Sequence, residues 1–174
     1  MTKKLRYVFL FMTSTLVALS ASIATSAEAA WQARIHASAC MPLAGGGAPI
    51  DNVFGIQNDS ATSALRLLCP AHDQTGQTKS SSALAVTVYD DTTVGSVVAF
   101  ACGSLAFARG GSCGPTAVTG TTASSLGVAL LGVSTTSVWT DEGLGVNYGY
   151  VVVDLPARQG GFRSSLQGYV QTVP

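Results

Sequence analysis

The sequence predicts an all-β protein: an antiparallel, jelly-roll-like β-sandwich stapled by two disulfides. Three observations lead to this prediction. Short apolar runs alternate with turn residues, helical periodicity is almost absent beyond residue 30, and the number of cysteines is even. A parallel sheet needs crossover helices, for which the sequence has no pattern. About eight or nine strands are predicted, at intervals typical of a sandwich or a jelly roll.

Residues 1–29 are predicted to be a cleaved signal peptide. Lys3, Lys4 and Arg6 precede an apolar stretch, and the motif A-E-A at 27–29 has the small residues that a signal peptidase recognises. The uninterrupted apolar part is shorter than the roughly 20 residues that cross a bilayer. We therefore expect residues 30–174 to form one secreted or periplasmic domain without a membrane span.

The charge of the predicted domain is low. Six basic and eight acidic side chains follow residue 29, which gives a net charge of −2. They form no basic run, and such a run is needed to bind nucleic acid phosphates. The sequence therefore argues against a nucleic acid partner.

All four cysteines (Cys40, Cys69, Cys102 and Cys113) lie in the predicted exported domain. An even count in an exported chain indicates disulfides. Of the three possible pairings we favour Cys40–Cys69 and Cys102–Cys113, because both close local loops across turn-rich sequence. The alternative is a zinc site, but the chain has no C-x-x-C and no zinc spacing. We expect two disulfides, no metal and no cofactor.

Each predicted strand is an apolar or alternating run bounded by Gly, Pro, Ser, Asn or Asp. The clearest one is 84–89, in which Leu84, Val86 and Val88 share a face. The predicted strands span residues 31–38, 53–57, 63–69, 84–89, 97–107, 116–125, 126–133, 148–155 and 166–173.

Four of these strands have distinct predicted environments, and one segment is predicted to be a loop. The run 97–107 is apolar on both faces, which indicates a central strand or a bulge near Gly103. The runs 126–133 and 148–155 are predicted to be buried, and 116–125 a weak edge strand. Segment 41–49 contains two prolines and three glycines and is therefore predicted to be a loop.

Two sequence patterns resemble those of catalytic sites. The segment 110–114 matches G-x-S-x-G, with Ser112 as nucleophile and His36 or His72 as base. Pro115 follows and no helical pattern comes after it, so we interpret the segment as a glycine-rich turn beside a disulfide. The acidic pairs 90–91 and 141–142 and the single Asp154 are the carboxylates available for glycoside hydrolysis or calcium binding. Turn chemistry accounts for the pair 90–91, and no catalytic residue is assigned.

Aromatic residues are the best candidates for ligand binding. Tyr148 and Tyr150 fall on one face of a predicted strand, and Trp139 lies in the loop before it. Exposed aromatic rings can stack against the apolar faces of sugars. The alternative is ordinary packing of these three rings in the core.

The layout resembles small exported bacterial β-sandwich proteins of unassigned function. The likeness is carried by the A-E-A motif, F-G-I-Q-N at 54–58, L-C-P at 68–70, V-T-V-Y-D at 86–90 and the two cysteine pairs. It covers most of residues 30–174 and implies a fold, but no catalytic residue. Jelly-roll carbohydrate-binding modules are similar at the level of the fold alone.

Three functions follow as hypotheses. The first is an exported structural or surface-interaction protein, not an enzyme, with a glycan or cell-surface component as partner. The second is a carbohydrate-binding module that uses Trp139, Tyr148 and Tyr150. The third is a secreted hydrolase, which requires Ser112 near a histidine or two carboxylates in one cleft.

Overall fold

The computed structural model describes residues 31–46, 50–52, 55–71, 83–105, 111–122, 126–135, 138–139 and 147–173. These residues form twelve β-strands and a single-turn 3-10 helix, Ala37–Ala39, and no α-helix occurs among them. The strands are β1 (Trp31–His36), β2 (Met41–Gly45), β3 (Ile50–Asn52), β4 (Gly55–Gln57), β5 (Leu65–Pro70), β6 (Ala83–Asp90), β7 (Val98–Leu105), β8 (Gly111–Cys113), β9 (Ala117–Val118), β10 (Gly127–Val133), β11 (Asn147–Leu155) and β12 (Ser165–Val173).

The strands form two antiparallel sheets of six strands each. Sheet A has the order β10-β6-β12-β4-β3, and β1 also pairs with β12. Sheet B has the order β2-β5-β11-β7-β8, and β9 also pairs with β7. Every pairing is antiparallel, which confirms the predicted fold class. The jelly-roll connectivity stays a prediction.

The core lies between the two sheets. Alternate residues of each strand point into it, and one continuous cluster takes members from both sheets. The face of β6 that Leu84, Val86 and Val88 were predicted to share is confirmed, and it points into the core. The members of the cluster include Leu65, Leu67 and Cys69 of β5, Leu84, Val86 and Val88 of β6, and Val151, Val153 and Leu155 of β11. Burial of each aliphatic side chain contributes about 1.5–3 kcal/mol to folding.

Both disulfides have the predicted pairing, and each joins neighbouring strands of sheet B. Cys102 of β7 lies directly opposite Cys113 of β8 and is bonded to it. Cys40 immediately precedes β2 and is bonded to Cys69 of β5. No cysteine is free.

Segment 41–49 corrects one prediction, because residues 41–45 form strand β2 instead of a loop. Strand β2 is at the edge of sheet B and pairs only with β5, so Pro42 can be accommodated although it lacks an N–H. The register shifts between Pro42 and Ala44, and Gly45 and Gly46 take positive φ angles where the strand ends.

Strand β10 also differs from prediction, whereas β7 is an internal strand of sheet B, which is the first of the two alternatives predicted for it. Strand β10 is an edge strand of sheet A, with Val128 and Leu130 exposed and only Leu131 and Val133 in the core, so it is not fully buried as predicted. Strand β7 pairs with β11 in a continuous register, without the bulge suggested near Gly103. The short β9 is an edge strand within the predicted segment 116–125.

Polar side chains close one end of the sandwich. Asp90, at the end of β6, is fully buried and accepts hydrogen bonds from Thr119 Oγ1, from Ser164 Oγ at 2.6 Å and from the Thr92 amide at 3.4 Å. The buried Asn58 donates from Nδ2 to three backbone carbonyls, at 2.9, 3.2 and 2.9 Å. These bonds connect loops from both sheets and give the buried polar side chains at this end of the core their hydrogen-bond partners.

Tyr169 links the two sheets through the core. It lies on β12 of sheet A, is almost fully buried, and donates a hydrogen bond from its hydroxyl to the carbonyl of Pro70 on β5 of sheet B. Burial raises the pKa of Tyr169 to about 12, because ionisation would place a phenolate in an apolar environment.

This shifted pKa makes stability depend on pH in the alkaline range. The unfolded tyrosine ionises near pH 10, whereas the folded one stays neutral until about pH 12. The free energy of unfolding should therefore fall as pH rises through this window. Urea unfolding at pH 9, 10 and 11 should show a smaller fall for Tyr169→Phe than for the wild type. Equal slopes for both proteins would contradict this account.

Removal of the Asp90 carboxylate should destabilise the protein strongly. Asp90→Ala leaves the buried hydroxyls of Thr119 and Ser164 without their acceptor, and we expect a loss of about 2–4 kcal/mol in the free energy of unfolding. The matched control is Asp91→Ala, since the Asp91 side chain makes no hydrogen bond with a described residue; a change within about 0.5 kcal/mol is expected. Urea denaturation measures both, and similar losses would show that Asp90 has no special role.

Candidate functional site

Trp139 belongs to the core, which corrects the prediction that it could serve as an exposed ring. Only 1% of the residue is exposed, and its indole nitrogen donates to the Cys102 carbonyl at 2.9 Å. The ring lies against Gly149 of β11, where an added Cβ would come within 2.8 Å of Cε2. In this position Trp139 is not available for stacking against a ligand.

Three glycines provide the space for Val138 and Trp139. Gly103 and Gly149 are opposite each other on β7 and β11. A Cβ on Gly103 would lie 2.7 Å from the Val138 carbonyl oxygen, and one on Gly114 would lie 2.9 Å from a Val138 methyl carbon. Val138 and Trp139 can therefore pack against these strands because side chains are absent at the three glycine positions.

Tyr148 and Tyr150 lie on the outer face of sheet B. The inward positions of β11 are Val151, Val153 and Leu155, so the two tyrosines share the opposite side of the strand, as predicted. Tyr148 is 57% exposed, and Tyr150 is partly buried. Tyr150 is opposite Cys102 on one neighbouring strand and Pro70 on the other. Cys102 is bonded to Cys113, so the disulfide holds β7, the strand beside Tyr150, to β8.

The same outer face carries a row of apolar residues that crosses four strands. The pairing register aligns Met41 of β2, Leu68 of β5, Val152 of β11 and Phe100 of β7. Val152 is only 4% exposed, yet it is not part of the core cluster. Its side chain is therefore shielded from solvent on the outer face of sheet B, where Leu68 and Phe100 are its neighbours on the two adjacent strands. Met41, at the end of the row, is 62% exposed.

We refer to these residues together as the apolar face of sheet B. It comprises Met41, Leu68, Phe100, Tyr148, Tyr150 and Val152. Sequence reasoning found the tyrosines but missed the other four. The available signal was the apolar character of β7 and β11 on both faces, which was interpreted as burial in a central strand instead of as an outer apolar surface.

An ion pair borders this face. Arg66 of β5 donates from Nε and Nη2 to the two carboxylate oxygens of Asp154 on β11, each at 2.7 Å. The hydrogen bond and the charge of Asp154 raise the pKa of Arg66. The Arg66 guanidinium also lies 5.9 Å from the centre of the Phe100 ring. Asp154, one of the carboxylates considered for catalysis, is thus held in a structural contact.

Of the residues considered for a hydrolase, Ser112 and His36 are both described, and they lie on different sheets. Ser112 is on β8 of sheet B, whereas His36 is on β1 of sheet A. His36 Nδ1 accepts the Ser38 amide at 3.2 Å and lies 3.0 Å from the Ser38 hydroxyl. His72 and the pair 141–142 lie outside the described residues.

Other polar side chains among the described residues also have structural partners. Asp59 forms an ion pair with Arg163 at 2.7 Å, and Arg158 lies 3.8 Å from the same carboxylate. Asn58, the first residue of a glycosylation sequon, is buried and fully hydrogen-bonded in its turn. Among the described residues, no three His, Cys, Asp or Glu side chains are close enough to hold a metal ion. Within the same ranges, no helix is long and apolar enough to cross a membrane.

Comparison with known proteins assigns no family to the chain. No protein-family model matches it, and no curated protein is significantly similar to it.

The glycine at 149 should be essential for the packing of Trp139. Gly149→Ala places a methyl group against the indole, and we expect it to lower the free energy of unfolding by about 1–3 kcal/mol through overpacking. Gly132→Ala is the matched control, because it also lies in a strand and a Cβ there meets nothing within 4 Å. This control should be neutral or slightly stabilising. Urea unfolding followed by tryptophan fluorescence measures both; equal stability of the two variants would contradict the packing argument.

Proposed function

We propose that the protein is an exported, non-enzymatic binding protein that recognises a cell-surface component through the apolar face of sheet B. The observation that carries this proposal is the row Met41–Leu68–Val152–Phe100, which lies outside the core and continues into Tyr148 and Tyr150. Met41 and Tyr148 are the exposed members of this face, Leu68, Phe100 and Tyr150 are partly exposed, and Val152 is buried beneath them. Exposed apolar side chains that share one face mark an interaction site, since leaving them in water is unfavourable.

The shape and charge of this face indicate the kind of partner. A sheet face is broad and gently twisted, so it fits an extended or flat partner better than a small molecule enclosed in a cleft. On the described strands of this face, only Arg66 and Asp154 carry charge, and they neutralise each other. Recognition therefore depends on apolar and aromatic contact, with hydrogen bonds from the tyrosine hydroxyls.

Export is supported by the two disulfides. Disulfides persist in oxidising compartments and are rare in the cytosol. The sequence adds the predicted signal peptide at residues 1–29. Both point to a secreted or periplasmic protein, and a binding partner in that location is a component of the cell envelope or of the extracellular surroundings.

Carbohydrate is the second candidate ligand. The exposed ring of Tyr148, next to Tyr150 on β11, favours it, because a tyrosine ring can stack on the apolar face of a sugar. Trp139 is excluded from this role by its burial.

Charge substitutions at the exposed part of the face test the proposal. Met41→Glu and Tyr148→Glu each place a carboxylate on the apolar face, and both positions are exposed enough for the fold to tolerate it. We expect co-sedimentation of the purified exported protein with cell-envelope fragments to fall about tenfold or more, as a lost contact of about 1.4 kcal/mol predicts. Val128→Glu is the control, since Val128 is exposed on the opposite sheet.

A glycan array with the wild type and Tyr148→Ala separates the two kinds of partner. Selective binding to one glycan class that disappears in Tyr148→Ala would identify carbohydrate as the ligand. Uniform signals across all glycans, together with envelope binding that depends on Met41 and Tyr148, would favour a protein partner. Failure of the wild type to bind either material would refute the proposed function.

A further inference from the structure

A groove lies on the other side of the sandwich, on the outer face of sheet A. Its volume is about 380 Å³, and most of its lining is apolar. The lining includes Arg34 and His36 from β1, Thr87 from β6, and Gly168 and Val170 from β12. It does not overlap with the apolar face of sheet B.

The groove is built into the pairing of three strands. Thr87, Gly168 and His36 form one row across β6, β12 and β1, and Ala85, Val170 and Arg34 form the next. Gly168 has no side chain, so the floor stays open between Thr87 and His36. A Cβ at Gly168 would lie 2.5 Å from the Ile35 carbonyl oxygen, so a larger residue cannot fill the groove unless β1 moves.

Arg34 gives the groove a cationic end. The side chain is exposed and has no hydrogen bond or ion pair with any described residue. Arg66, Arg158 and Arg163, in contrast, all contact carboxylates. An unpaired guanidinium beside an apolar floor can form a bidentate contact with an incoming carboxylate.

The side opposite Arg34 is aliphatic. Leu130 of β10 continues the row of Thr87, and Gly132 continues the row of Ala85 and Val170. Leu130 is 67% exposed and Val128, next to it on the same face, is 71% exposed. With neighbouring strands about 4.8 Å apart, the path from β1 to β10 is about 14 Å long. The face therefore changes from cationic to apolar over the length of a short alkyl chain.

We propose that this groove binds a free medium-chain fatty acid. The carboxylate lies against Arg34, and the alkyl chain runs over Val170 in the groove and continues beyond the groove lining over Ala85 towards Leu130. Charge complementarity selects the anion, since Arg34 has no ion pair with a described residue, and the apolar side chains of Val170, Ala85 and Leu130 select a linear hydrocarbon. The site is independent of the proposed function, because it is on the opposite sheet and shares no residue with the apolar face of sheet B.

Calorimetric titration of the purified protein with monomeric octanoate tests this proposal. We expect saturable binding to the wild type, weakened about tenfold in Arg34→Gln, since a hydrogen-bonded charge contact is lost. Arg66→Gln is the matched control, because it removes the same charge from the opposite sheet. Octylammonium, which has the same chain and the opposite charge, should bind at least tenfold more weakly than octanoate.

Chain length provides a second readout. From hexanoate to octanoate to decanoate, each methylene that the groove buries should tighten binding by up to about fourfold. Amide shift changes in NMR should centre on Arg34, Thr87 and Val170. Octanoate binding that is equal in Arg34→Gln and the wild type, absent from the wild type, or matched by octylammonium would overturn the proposal. These outcomes leave envelope binding by the apolar face of sheet B untouched.

Discussion

Every strand in this protein has two faces, and burial of the core uses only one of them. Leu84, Val86 and Val88 of sheet A point into the core, as do Val151 and Val153 of sheet B. With period-two geometry, the residues between them must face outward, whatever their chemistry. Apolar residues that stay exposed at those outward positions, such as Met41 and Tyr148, gain little burial from folding. The same constraint therefore separates the residues that stabilise the fold from those that make surfaces for binding.

The two outer faces differ in character for reasons that lie in the sheet pairing. On sheet B, the pairing of β5, β11 and β7 aligns Leu68, Val152 and Phe100 in one row, which makes a broad apolar face. On sheet A, the glycine at 168 interrupts the corresponding row, which leaves a groove with Arg34 at one end. In the two proposals, one surface binds a flat partner and the other a narrow ligand with one charge. They thus place unlike binding surfaces on the two sides of one sandwich.

Local pattern was sufficient to predict much of the fold. Alternation identified β6, and the short loops between cysteines identified both disulfides. Features set by distant contacts were missed. Residues 41–45 become a strand only because β5 offers a free edge, and Trp139 is buried only because Gly103 and Gly149 meet on adjacent strands. For the candidate site, the two tyrosines were found from their spacing. The row that includes Val152 was not found, because a strand that is apolar on both faces has the same sequence pattern in a core and on an apolar outer surface.

The positions of the two disulfides have a mechanical consequence. The covalent bonds tie β2 to β5 and β8 to β7, so sheet B is clamped at both of its borders. Sheet A contains no such bond, because all four cysteines are used in sheet B. Its border strand β10 is held by hydrogen bonds to β6 and by Leu131 and Val133 in the core. We therefore expect fraying to start in sheet A, while the two disulfides hold the border strands of sheet B in place.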